Sequence, residues 1–195
     1  THNGTKGKIE RIHIEDYPAI KEWLDKGGIA YNGKIYKGYS QIVKRFDQGD
    51  TPYNLRNCAY MEDFNKPKII YPNMTKYMPF VFDNKMYFTN QKCFIITGKY
   101  VAYLTAFFNS SLFKYCFRDS FPELQGGTRE LSKIFFDKIP VYEVSNVQNL
   151  QFQDAVEDIQ KEYTKQTALR IDSMLFDLYN LTDEERKAIG FVEIQ

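Results

Sequence analysis

Apolar residues in the first half of the chain recur mainly at the spacing of β-strands. Runs such as KPKIIYP and KCFIIT are rich in β-branched and aromatic residues, and proline or polar turn residues bound them. An Asn-Gly pair, a strong hairpin signal, lies between two further short runs. The pattern predicts strands at 9–14, 66–72, 92–97 and 138–144, with hairpin turns at 32–33 and 83–85.

Elsewhere the apolar residues repeat at helical spacing. Residues 100–117 carry a wide apolar stripe and predict a buried helix. A second stripe predicts one long amphipathic helix over 151–178, after a break at 145–149. Shorter helices are predicted at 17–26, capped by Asp16, and after the Thr182-x-x-Glu185 capping box, ending at Gly190.

Together these elements predict an α+β fold, with helices packed on a mixed, curled sheet and a C-terminal helical region. We expect a flexible leader at 1–8, one domain at 9–144 and a helical tail at 145–195. Because the chain does not begin with methionine, we also expect a fragment of a longer protein.

The composition is that of a folded protein with reduced cysteines. Apolar residues make up 43% of the chain and aromatic residues 16%, which is enough for a substantial core. The three cysteines are far apart and form no cluster with histidine, so neither zinc nor a disulfide framework is expected. No signal peptide and no apolar run of ~20 residues is visible, so the sequence predicts a cytoplasmic protein without membrane contact.

Charge is distributed unevenly along the chain. The overall net charge is +1, but residues 31–138 carry +7 and residues 139–195 carry −6. A basic body with an acidic tail is expected when only one part meets a polyanion. Chance clustering of charges on a solvated surface explains the numbers equally well.

No catalytic apparatus is evident. His13 has no serine or cysteine partner nearby in the sequence, and no nucleotide-binding glycine motif occurs. Asp119 and Glu123 flank a turn, but two carboxylates in a charged sequence are more often a solvated face. We therefore expect the fragment to contain no catalytic residue and to hold no metal or cofactor.

Basic and amide side chains alternate with aromatic residues in three segments, PYNLRN, NKPKIIYPNMTKY and FTNQK. Lysine and arginine neutralise phosphates, and asparagine, glutamine and arginine match base edges in the major groove. For any single residue, core packing or turn formation is the simpler explanation. The candidate DNA-binding residues are Tyr53, Asn54, Arg56, Lys66, Lys68, Lys76, Asn90 and Lys92.

The loop between the predicted buried helix and the last predicted strand is longer than a turn requires. Gly126 and Gly127 permit a positive φ and close backbone approach to a ligand. The arginine in this loop offers a planar fork suited to guanine or phosphate. A plain connector with a glycine turn is the alternative. The candidates from this loop are Gln125, Gly126, Gly127, Thr128, Arg129 and Lys133.

Several stretches are similar to one known family. They lie at 14–26, 44–74, 87–97, 103–117 and 126–141, and include KPKIIY, TNQKCFI, FFNS and IPV in this order. The chain thereby resembles the TaqI-like C-terminal specificity domain of N6-adenine DNA methyltransferases and type IIG restriction–modification enzymes. Residues 170–189 are similar to the helical tail of such proteins.

The resemblance implies that the domain docks beside a methyltransferase core and selects the double-stranded DNA sequence. It also implies that catalysis, S-adenosylmethionine and Mg²⁺ belong to methyltransferase and nuclease domains of the parent chain. The Asn-Pro-Pro-Tyr adenine site is absent from this sequence. For DNA-binding sites, the resemblance implies only which segments match the family in position. These are the 126–133 loop and the segment that contains Arg56.

Three other functions stay open from the sequence. A type I specificity subunit usually pairs two such domains through long spacer helices. A protein-interaction module would use the predicted long amphipathic helix to bind a partner helix. A free-standing hydrolase would need a histidine or carboxylate site that the sequence does not supply.

Overall fold

The computed structural model describes residues 3–4, 9–29, 31–56 and 59–192, and the chain divides into two compact units. The first unit spans Thr1–Met61 and the second Glu62–Gln195. The helices after residue 145 belong to the same unit as the main sheet. Most of the predicted leader, 1–8, lies outside the described residues.

In the first unit a β-hairpin lies between two short helices. The predicted hairpin is confirmed, although its connection is longer than two residues, and within it Asn32 and Gly33 have left-handed φ of 64° and 70°. Pro18 begins the first helix, but Tyr17 rather than the predicted Asp16 is the capping residue. The predicted strand at 9–14 does not form beyond an isolated bridge at residue 9. The elements are α1 (Pro18–Lys26), β1 (Gly28–Ile29), β2 (Ile35–Tyr36) and α2 (Tyr39–Ile42).

Two small antiparallel sheets organise the second unit. Its strands are β3 (Lys68–Pro72), β4 (Met74–Thr75), β5 (Val81–Asp83), β6 (Cys93–Thr97) and β7 (Arg129–Glu130). One sheet has the order β5-β3-β6, and β4 pairs with β7 in the other. The strands predicted at 66–72 and 92–97 are thus confirmed, and so is the α+β class. All strand pairs in the described ranges are antiparallel, so the sheet is not mixed.

Two strand predictions for this unit are wrong. The segment after Asp83 does not turn back onto β5, because the Asp83 carboxylate accepts hydrogen bonds from the backbone N–H of Lys85 and Tyr87 and holds a non-hairpin turn. β5 pairs with β3 instead. Residues 138–144 form no strand. The strand paired beside the glycine loop is the shorter β7, which precedes this segment.

The helices of the second unit are α3 (Val101–Asn109), α4 (Ser111–Phe117), α5 (Lys133–Phe136), α6 (Asn146–Lys161), α7 (Lys165–Leu178) and α8 (Asp183–Ile189). The helix predicted at 100–117 is interrupted at Ser110, whose hydroxyl caps α4 by accepting from Phe113 N–H. The long helix predicted at 151–178 is likewise two helices, because Thr164 starts α7 with its own capping box. Across the described residues, no helix is both long and apolar enough to cross a membrane.

Two further helix starts follow from side-chain caps. Ser145 and Gln148 form a capping box, so the predicted break at 145–149 is the beginning of α6. The capping box of Thr182 and Glu185 is confirmed at the start of α8, and that helix ends at Gly190 as predicted.

An aromatic core joins these helices to the sheet. The ring centroids of Phe80 and Phe108 are 5.0 Å apart, and those of Phe108 and Phe113 are 5.2 Å apart. Such tilted and edge-on pairs add to the free energy of burial. α6 also closes the outer edge of β5, since the Gln160 amide exchanges two hydrogen bonds with the backbone of Phe82. The core therefore holds sheet, α3 and α6 as one body.

A buried ion pair connects β3 and β5. Lys68 Nζ lies 2.5 Å from an Asp83 carboxylate oxygen, and both side chains are enclosed. The ammonium also donates to Phe64 O at 2.8 Å. Burial by itself raises the pKa of Asp83, but the hydrogen bonds from Lys68 and from the backbone of Lys85 and Tyr87 outweigh burial, so the pKa is lowered.

We predict that Lys68→Met lowers the free energy of unfolding by about 3–5 kcal/mol, because it leaves the Asp83 carboxylate buried without its cation. Urea denaturation followed by circular dichroism measures the change. In the wild-type chain the lowered pKa of Asp83 stabilises the fold above the unfolded-state pKa, and this contribution is lost as pH falls through the folded-state pKa.

Lys66→Met is the matched control, because Lys66 is exposed and its ion pair with Asp63 lies at the surface. Its urea midpoint should equal that of the wild type. Equal losses in the two variants would contradict the role assigned to the buried pair.

Candidate nucleic-acid interface

The glycine loop is a small hairpin. Glu123 and Arg129 form an antiparallel bridge, and Leu124 N–H donates to Thr128 O at 2.6 Å. Gly126 and Gly127 at the tip have φ of 75° and 77°. A Cβ added at either glycine would meet nothing within 4 Å, so glycine is favoured there by backbone conformation and not by crowding.

Arg129 clamps the stem of this hairpin from inside. Its side chain is only 10% exposed, and Nη1 donates to Phe121 O at 2.8 Å. Nη2 lies 2.8 Å from Asp119 Oδ1 and 3.2 Å from Glu123 Oε2. The carboxylates of Asp119 and Glu123 therefore serve as partners of a buried cation, a role that their sequence spacing did not reveal. A guanidinium engaged in this way does not present a fork to a base edge.

Backbone pairing places two other candidate segments beside the hairpin. Thr75 on β4 pairs with Arg129 on β7, so Lys76 follows directly at the stem. Asn73 accepts from Leu131 N–H and donates to Lys92 O. The hairpin, the β4 end and the loop before β6 consequently meet at one end of the main sheet. We call the set Lys76, Asn90, Lys92, Gln125 and Thr128 the strand-end surface.

Polar groups of the strand-end surface are available to a ligand. Lys76, Asn90, Lys92 and Gln125 are exposed, and Thr128 is partly exposed. Asn90 Oδ1 accepts from Lys92 N–H at 2.9 Å, which leaves the Asn90 amide nitrogen to donate outward. Within the described part of the chain, the side chains of Lys92 and Gln125 make no hydrogen bond. The surface thus joins two cations to amide and hydroxyl groups, the mixture that binds phosphates and base edges.

The model of one known family matches this chain over residues 24–141, more than half of its length. The chain belongs to the family of TaqI-like C-terminal specificity domains. The resemblance seen in the sequence is thereby confirmed, and the role of the specificity domain is DNA target recognition in restriction–modification enzymes. No curated protein matches the chain.

Two lysines that the sequence predicted as DNA contacts of the specificity domain lie outside the strand-end surface. Lys68 is enclosed by protein and paired with Asp83, so its ammonium cannot reach a phosphate in this conformation. Lys66 precedes β3 at the opposite end of the sheet. The register from Lys68↔Thr97 to Pro72↔Cys93 separates the two ends by about 14 Å at ~3.4 Å per residue.

Lys133 lies two residues beyond Leu131 and is exposed, but its ammonium is paired with Asp137, which follows the last residue of the same helix. It therefore borders the strand-end surface without being free. In the stretches that the structure describes, no group of three or more His, Cys, Asp or Glu side chains could hold a metal ion.

Three further candidates lie in the first unit of the specificity domain. Asn54 is buried, accepts from the Thr51 hydroxyl at 2.6 Å and donates to Ile12 O at 3.0 Å, so it holds a turn and does not present its amide. The Tyr53 hydroxyl donates to Asp25 at 2.5 Å. Arg56 is exposed, and its contact with DNA stays a prediction.

We predict that Arg129→Ala lowers the free energy of unfolding by about 1.5–3 kcal/mol, since hydrogen bonds to a charged group contribute that much and Phe121 O loses its donor. Arg129→Lys should recover only part of the loss, because an ammonium cannot span the carbonyl and both carboxylates. Urea denaturation gives both values.

Lys133→Ala, which removes an exposed cation nearby, is the control and should leave stability unchanged. Wild-type stability in Arg129→Ala together with weakened DNA binding would instead support the base contact predicted from the sequence.

Proposed function

We propose that this chain is the target-recognition domain of an N6-adenine DNA methyltransferase fused to an endonuclease, and that it reads duplex DNA with the strand-end surface. The observation that carries the proposal is the convergence of Lys76, Lys92, Gln125 and Thr128 at one end of the sheet. Three segments far apart in the sequence contribute to it. Membership in the specificity-domain family supports DNA as the ligand.

The two lysines suit phosphate contacts, and the amides suit base edges. A cation that neutralises a phosphate releases condensed counterions and positions the protein without reading sequence. A glutamine side chain can bond adenine through N6 and N7 together. Gln125 lies at the tip of the hairpin and is exposed. In this proposal Gln125 and Thr128 select the sequence, and Lys76 and Lys92 hold the backbone.

Rigidity of the hairpin favours this role. The Arg129 clamp and the Leu124–Thr128 hydrogen bond fix the stem before any DNA arrives. A loop that is already ordered loses less conformational entropy on binding. The tip can therefore present its side chains without a large ordering cost.

Catalysis belongs, in this proposal, to other domains of the parent chain in the cytoplasm. A methyltransferase domain there would use S-adenosylmethionine, and a nuclease domain would use Mg²⁺. The packing of α6 supports this assignment over a helix-mediated interaction module. Its apolar residues Phe152, Ala155 and Val156 are buried within the unit, so they are not free to bind a partner helix. The division of the 145–178 region into two helices also disfavours a long type I spacer.

The proposal is tested by selecting bound sequences from a pool of randomised duplexes and titrating the chain with the selected duplex at several salt concentrations. We predict that Lys76→Ala and Lys92→Ala each reduce the slope of log Kobs against log[salt] by about 0.9, the value for one lost phosphate contact. Fluorescence anisotropy measures the slope.

Lys66→Ala removes the same charge at the opposite end of the sheet and should leave the slope unchanged. If the selection enriches no sequence, or if all three variants reduce the slope equally, the strand-end surface is not the reading surface.

A separate prediction concerns selectivity. Gln125→Ala should cost about 1–3 kcal/mol of discrimination at one base pair, because one bidentate contact is lost, and should leave the salt slope unchanged. Competition between the selected duplex and its single-base variants measures this. Gln151→Ala, an exposed glutamine on α6, is the control and should preserve the preference.

A further inference from the structure

The first unit contains a pocket of about 220 Å³ that the proposed function does not use. Its lining includes the apolar residues Leu24, Ile42 and Pro52 and the two tyrosines Tyr36 and Tyr53. Each hydroxyl of these two tyrosines is tethered, Tyr36 to Leu24 O at 3.0 Å and Tyr53 to Asp25 at 2.5 Å. Both rings are therefore held in place.

Hydrogen-bond donors line the rest of this pocket. Gln41 Oε1 accepts from Lys37 N–H, and Gln41 Nε2 has no partner among the described residues. Arg45 Nη2 donates to Asn54 O at 3.2 Å. Arg45 Nε is buried and lies 3.3 Å from Asp47 Oδ1 without an aligned hydrogen bond, and Nη1 has no partner in the described ranges. The rim consequently offers donors, while its one amide acceptor is already engaged.

Charge at this rim is largely neutralised. Asp47 pairs with Arg45, and Asp25 pairs with Lys21 at 2.6 Å. The hydrogen bonds from Lys21 and Tyr53 lower the pKa of Asp25, so that carboxylate stays ionised beside the pocket. A free anion gains little from such a rim. A neutral flat ring with acceptor atoms on one edge is the better match.

We propose that this pocket binds a guanine base turned out of a nucleic-acid strand. Guanine carries two adjacent acceptors, N7 and O6, whereas adenine places an amino donor beside N7. Aromatic side chains bind the face of any base by stacking, and a purine presents more face than a pyrimidine. The donors Gln41 Nε2 and Arg45 Nη1 would meet the two acceptors. This inference rests on the proposed function only for the source of the base, since a free nucleotide tests the pocket itself.

The test is an NMR titration of the 195-residue chain with guanosine, adenosine and cytidine monophosphates and with ribose 5-phosphate. The Gln41 side-chain amide signal, identified by its loss in Gln41→Ala, reports directly on the pocket. We expect guanosine monophosphate to shift this signal saturably and to bind about tenfold more tightly than the other nucleotides, the ratio for one hydrogen bond of ~1.4 kcal/mol. Ribose 5-phosphate should not shift it.

Variants test whether guanosine monophosphate binds in this pocket. Gln41→Ala should weaken guanosine monophosphate binding about tenfold, as followed by the ring protons of Tyr36 and Tyr53. Lys44→Ala, which removes an exposed cation outside the pocket, should not change it. Lys92→Ala should also leave it unchanged while it alters duplex binding.

Equal shifts with ribose 5-phosphate would show an anion site and overturn the inference. So would the absence of saturable nucleotide binding, or equal binding in Gln41→Ala. In each of these cases, duplex binding sensitive to Lys92→Ala would leave the proposed function standing. Conversely, guanosine monophosphate binding without any duplex binding would support the pocket and refute the reading role of the strand-end surface.

Discussion

The arrangement of the interface depends on one constraint, the buried guanidinium of Arg129. A buried cation is stable only with nearby acceptors, and here they come from Phe121 O, Asp119 and Glu123. To reach these acceptors, residues 119–129 fold back on themselves, and this fold supplies β7 as the partner of β4. The same clamp thereby brings the glycine tip to the end of the main sheet, where the lysines of the strand-end surface lie.

Local signals in the sequence were sufficient for the elements whose stability is local. β3 and β6 were predicted because their apolar, β-branched runs fit a half-buried strand, and α8 because its capping box is a short-range motif. The breaks at Ser110 and Thr164 were missed, because an apolar stripe continues across both while a hydroxyl caps the next helix. Strand partners were not predictable, since β5 finds β3 through a buried ion pair rather than through a tight turn.

For the candidate site, too, the sequence predicted some features and missed others. Lys76, Lys92 and Gln125 were predicted from residue type and proved exposed and close in space. Residue type could not separate Lys76 and Lys92 from Lys68 and Arg129, which are also cations but lie inside the protein with carboxylate partners. Only tertiary contacts decide whether a cation faces solvent or an internal acid. The pocket of the first unit was likewise invisible, because its walls come from segments well apart in the sequence.

The clamp and the tip of the hairpin are made by different residues. Phe121, Asp119, Glu123 and Arg129 secure the base of the loop, whereas the side chains of Gln125 and Thr128 are not among its contacts. Substitutions of Gln125 and Thr128 can accordingly accumulate without unfolding the protein, whereas the positive φ of Gly126 and Gly127 favours glycine at those two positions. A lineage of such proteins could thus acquire new target sequences by drift at a few codons while it inherits the same scaffold.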